Sequence, residues 1–117
     1  MIAVRIDPGG EPVLAEVTQG AYRHLHGVFP EGFDGIRLGP DVIGYVGDSS
    51  LLDESEPNPA GQRLADDVYQ RHVHRPYHTA VCGPMVVLGV SRSGESVSVP
   101  AAFIRAHLPA LSGGVPA

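Results

Sequence analysis

Hydrophobic positions in this chain recur at two periods, and the period changes every few residues. Ile2, Val4 and Ile6 alternate with Ala3, Arg5 and Asp7, the two-residue repeat of a strand with one covered face. Asp7-Pro8-Gly9-Gly10 then reads as a turn, because proline presets φ and glycine takes positive φ at little cost. A second strand over 12–17 completes a predicted hairpin. Ala21, Tyr22, Leu25, Val28 and Phe29 recur at helical spacing, which predicts a helix over 19–29 capped by Thr18 and ended by Pro30-Glu31-Gly32. Strands are expected at 33–38 and 41–47, across the turn Gly39-Pro40-Asp41, with Ile36, Leu38, Val42, Ile43, Tyr45 and Val46 packing there.

From Gly47 to Pro57 the pattern breaks down. Asp48, Asp53, Glu54 and Glu56 crowd a stretch anchored only by Leu51 and Leu52, so a solvated, mobile loop is expected. Asn58-Pro59 is a strong helix start: asparagine accepts from an orphan amide, and proline at the first helical position forfeits no bond. This helix should reach about His72, with Ala60, Leu64, Ala65 and Val68 inward. Arg63, Asp67 and Arg71 would pair on its outer face at i,i+4. Residues 80–90 are apolar almost throughout, as in a mid-sheet strand buried on both faces. Ser91-Arg92-Ser93-Gly94 turns into a strand at 95–99, and Pro100 opens a last helix with Phe103, Ile104, His107 and Leu108 inward. The order β-β-α-β-β-α-β-β-α predicts a single α+β domain over 1–111. It is a mostly antiparallel, twisted sheet with about three helices on one face, followed by a disordered tail at 112–117.

Composition narrows the class. A chain of 117 residues with 43% hydrophobic content can build its own core. The lone Cys82 permits no intrachain disulfide, and no signal-like or membrane-length apolar run is visible, so a cytoplasmic protein without membrane contact is expected. All eight basic side chains are arginine, and the net charge is -5. That acidity argues against nucleic acid as a partner, because a nonspecific grip needs a basic surface.

Candidate chemistry is sparse. His72, His74 and His78 lie within seven residues, and Cys82 follows four later. Imidazole and thiolate are zinc's preferred ligands, but H-x-H-x3-H-x3-C is not a usual closed zinc pattern. His24 and His26, two apart on a helix, cannot chelate together. Gly89-Val90-Ser91-Arg92-Ser93 approaches a nucleophile elbow, yet Ser93 replaces the second glycine and a hairpin replaces the required strand-to-helix turn. The acids at 53, 54 and 56 read as a solvating run rather than catalytic carboxylates, which need rigid mounting. Without lysine there is no Schiff-base or P-loop chemistry. Asn58 reads first as a cap. Its alternative reading is an amide near the acidic loop, which would join Arg63 and Arg92 in rimming a ligand site.

Three stretches carry a resemblance: Arg5-Ile6-Asp7-Pro8-Gly9-Gly10-Glu11-Pro12-Val13, Asn58-Pro59-Ala60-Gly61-Gln62-Arg63-Leu64-Ala65, and Val81-Cys82-Gly83-Pro84-Met85-Val86-Val87-Leu88-Gly89. Together they resemble the domain-of-unknown-function family 3846, common in phages, plasmids and actinobacterial genomes. The likeness implies a short amino-terminal strand pair, an asparagine leading into an Asn-Pro helix, and an apolar strand with Gly83 near its start and Gly89 near its end. It brings no catalytic residue. The function expected is therefore a non-enzymatic binding or regulatory module acting on a protein partner or a small polar ligand, with no cofactor. The alternative is a small metal-dependent hydrolase using His72, His74 and His78, with zinc as the metal. An exposed edge strand would also allow a homodimer.

Overall fold

The computed structural model describes residues 1–48, 56–77 and 79–114. Its elements follow the predicted order: β1 (Ile2–Ile6), β2 (Val13–Glu16), α1 (Ala21–Val28), β3 (Phe33–Gly39), β4 (Val42–Gly47), α2 (Pro59–His72), β5 (Met85–Val90), β6 (Ser96–Val97) and α3 (Ala101–His107). A closing 3-10 helix, Pro109–Gly114, follows. The strands form one sheet in the order β2-β1-β5-β4-β3, with β6 also on β5. Every pairing among the described strands is antiparallel. The architecture is an α+β domain, and no helix among the described residues is long and apolar enough to cross a membrane.

β5 is the middle of the sheet, and Met85, Val86, Val87 and Leu88 are wholly buried. β4 occupies one of its edges as far as Gly89, and β1 pairs with Val87 to Met85 on the other. The short β6 therefore sits beyond the start of β1, on the same side. There the Val99 amide donates to the Ile2 carbonyl (2.9 Å), and the Ile2 amide donates to Ser98 Oγ (2.8 Å).

The helices do not share one face, contrary to the sequence expectation. Val4, Ile6, Leu38, Met85 and Val87 pack with Leu64, Val68 and Ile104 of α2 and α3. Ala3, Val86 and Leu88 pack with Leu25 and Phe29 of α1 on the opposite face. An apolar strand whose alternate residues point both ways needs cover on both sides, so a helix had to cross over.

Three boundaries also differ. α1 starts at Ala21 behind Gly20, which is extended and makes no side-chain cap bond. Thr18 lies outside because Val17 is still in the sheet's grip, its amide bonded to the Met1 carbonyl at 2.8 Å. β5 starts at Met85 rather than 80, since Gly83 has φ +73° and Pro84 has no amide to offer a ladder. Residues 112–114 are helical, not disordered: Leu111 packs on the larger core, and Ser112 Oγ donates to the Pro109 carbonyl (2.8 Å). Asp53 and Glu54, with Leu51 and Leu52, lie outside the described residues, as do residues 115–117.

Candidate functional site

α2 presents three stripes, and their different uses locate the site. Ala60, Gly61, Leu64, Ala65 and Val68 are buried in the core. Asn58, Gln62 and Asp66, spaced four apart, hold the segment returning to β5. Asn58 Nδ2 donates to the carbonyls of Ile6 and Gly83, each at 2.9 Å, while its Oδ1 accepts from the Gly61 amide at 2.9 Å. Gln62 Oε1 accepts from the Val81 amide (2.7 Å), and its Nε2 donates to the Thr79 carbonyl (3.2 Å). Asp66 Oδ1 accepts from the Tyr77 amide at 3.1 Å. The third stripe, Arg63, Asp67 and Arg71, faces α3 and its continuation.

Asp67 is the node of that stripe. Its Oδ1 accepts from Arg71 Nε at 3.0 Å, and its Oδ2 lies 2.8 Å from His107 Nδ1. A carboxylate only accepts, so Nδ1 is the donor. Arg71 also donates to the Ala106 carbonyl at 3.2 Å. The His107 side chain is only 6% exposed and lies against Phe103 (ring centroids 4.8 Å) and His72 (5.8 Å). The predicted Arg63–Asp67 pair is not among the described ion pairs; Arg63 instead approaches Glu11 at 3.9 Å, with both side chains largely exposed.

Glu11, Arg63, Asp67 and His107 border a cleft of about 430 Å³. One wall is α2, through Ala60, Arg63, Leu64 and Asp67; the other is Leu108 to Leu111. Glu11 and Pro12, from the β1–β2 connection, also line it. The size lies within the range of small-ligand pockets, and mostly apolar walls with a few converging polar groups are their usual lining. No lining residue carries a hydroxyl or a thiol, so the His107–Asp67 pair has no side-chain nucleophile to activate there.

The residues singled out from sequence do not assemble as expected. Asn58 is 1% exposed with its side chain fully engaged, so it builds the fold and cannot meet a ligand. Arg92 is exposed in the β5–β6 turn, at the far end of β5 from Gly83, about 20 Å away for a strand of this length. Only Arg63 reaches the cleft. Ser91 Oγ lies 3.0 Å from Ser93 Oγ and accepts from the Glu95 amide at 3.2 Å, so the elbow-like sequence is a hairpin turn. Among the described residues no three His, Cys, Asp or Glu side chains gather to hold a metal. His72 ends α2, His74 sits exposed beyond it with φ +61°, and His78 lies outside the described residues. Cys82 pairs by a single bridge with Pro57 rather than starting the strand. Sequence reasoning missed Glu11, Asp67 and His107 as site residues. The available signal was His107, a polar residue interrupting an apolar helical face.

No family model, curated protein or solved structure matches this chain. The cleft must be read on its own chemistry.

Proposed function

We propose that the protein is a non-enzymatic binding module of the cytoplasm that holds a small molecule with an apolar body and a polar end. The observation carrying this reading is the cleft between α2 and Leu108–Leu111, apolar along its walls and charged at Arg63, Glu11 and Asp67. The partly buried Asp67–His107 contact and the Arg71–Ala106 bond tie the second wall to the first, so the cleft is largely formed before any ligand arrives. A preformed site avoids the ordering entropy that weakens binding by flexible segments.

The test is native mass spectrometry of the purified protein against its denatured mass, followed by amide chemical-shift mapping with a fragment set. A co-purifying molecule, or fragments that shift the amides of 60–67 and 108–111 together, supports the module. Fragments that bind elsewhere, or none at all, would refute it.

A further inference from the structure

Resting on that reading of the cleft, we infer that its ligand is a monoanionic amphiphile: an aliphatic chain ending in a carboxylate. The walls set the body. Ala60, Leu64, Leu108 and Leu111 offer apolar surface and no hydroxyl or amide side chain that a polar skeleton would need. The head follows from which polar groups already have partners. Both oxygens of Asp67 are taken, by Arg71 at 3.0 Å and His107 at 2.8 Å. The His107 ring is almost fully covered and held through Nδ1. Arg63 is different. Its partner among the described ion pairs is Glu11 at 3.9 Å, beyond hydrogen-bond reach, and 66% of its side chain is exposed at the cleft mouth. A guanidinium fork matches a carboxylate through two parallel bonds, which makes it a specific partner for that head.

Charge narrows the choice further. Glu11 and Asp67 also border the cleft, so a dianionic phosphate would meet two carboxylates for one guanidinium. A cationic head would be repelled by Arg63, would find Asp67 already engaged by Arg71 and His107, and would have only Glu11, itself 3.9 Å from Arg63, left to meet it. A single negative charge suits one arginine.

The experiment is an amide NMR titration of the full chain with octanoate, octanol and octylamine at one ionic strength. Octanoate should bind at least tenfold more tightly than the other two and shift the amides of 60–67 and 108–111. Hexanoate should bind about 15-fold more weakly than octanoate, at about fourfold per methylene removed from the apolar walls. Arg63→Ala leaves the core intact because the side chain is exposed. It should weaken octanoate at least tenfold and change octanol by less than twofold, with Arg63→Lys in between. If octanol or octylamine binds these amides as well as octanoate does, the carboxylate inference falls while the cleft reading stands. If no probe shifts them, both fall. Shifts at the same amides on raising protein concentration alone would assign the groove to a second copy of the chain and also overturn both.

Discussion

Replacing Asn58 with alanine removes three hydrogen bonds from a side chain that is 1% exposed. Two of them tie the start of α2 to the carbonyls of Ile6 and Gly83, so one amide joins a helix, the end of β1 and the approach to β5. The third caps α2 at Gly61, and loss of such a cap costs about 1 kcal/mol. Each carbonyl left buried without a partner adds about 1–3 kcal/mol. The sum, reduced where the segment relaxes, is about 3–5 kcal/mol. A 117-residue domain has about 6–18 kcal/mol in all, so the variant should fold but lose a large share of its stability. Urea unfolding followed by circular dichroism reads this directly: at a slope of about 2 kcal/mol/M the midpoint should fall by about 2 M.

A second variant separates the cap from the clamp. Asn58→Asp keeps an acceptor for the Gly61 amide but turns a donor into an oxygen facing two carbonyl oxygens. The ionised form is disfavoured in the fold, so the new carboxyl titrates above its unfolded value of about 3.9. The folded state then holds its proton more tightly, and stability falls as pH rises from about 4 through the raised folded value. Asn58→Asp should therefore approach the wild type in acid and resemble or fall below Asn58→Ala at neutral pH. A loss under about 1 kcal/mol for Asn58→Ala would refute the reasoning. It would mean that both carbonyls have other partners and that Asn58 is free for another role.

The remaining predictions concern close approaches and the cleft wall. Gly61→Ala should destabilise by about 1–2 kcal/mol despite alanine's helix propensity, because the added Cβ would lie 3.2 Å from Asn58 Cγ and from Val81 Cγ1. Gly27→Ala, in α1 with nothing within 4 Å of the new methyl, should stabilise by about 0.5–1 kcal/mol; chemical denaturation checks both. Gly89→Ala should cost about 1–3 kcal/mol, because its Cβ would collide with the Ser98 carbonyl oxygen and crowd Pro100 Cδ at 3.2 Å. Its thermal midpoint should drop accordingly, with the Val99 amide exchanging faster as β6 is pushed from β5. Asp67→Ala should lose about 1–2 kcal/mol by leaving His107 Nδ1 unpaired, and hydrogen exchange at the Leu108 and Leu111 amides should speed up as that wall loosens.

Much of the fold was legible because its signals are local. The two-residue alternation of β1, the glycine-rich turn with Gly9 at φ +76°, and the Asn58-Pro59 start all act within a few residues and survive in the structure. What failed depended on distant partners. The apolar run from 80 looked like continuous strand, but Asn58 and Gln62 take up backbone groups of Val81 and Gly83, some twenty residues away, in place of a ladder. The side of the sheet that α1 covers was decided by the alternate residues of β5, a strand that comes more than fifty residues later.

The same distinction explains why Asn58 and Arg92 do not join Arg63 at the cleft. Asn58, Ser91 and Arg92 drew attention because they stand in strong local motifs, a helix start and a tight turn. Those motifs use the polar groups of Asn58 and Ser91 and leave Arg92 on an exposed turn. His107 has no such motif around it. It interrupts the apolar face of α3 with a ring that must be buried yet needs a partner, and none is available within its own helix. Its partner had to come from another element, and Asp67 supplies it across 40 positions of sequence. A polar residue on an otherwise apolar stripe therefore indicates a long-range contact more reliably than one in a turn or a cap. Here that contact holds a helix-to-helix junction, and the cleft opens beside it.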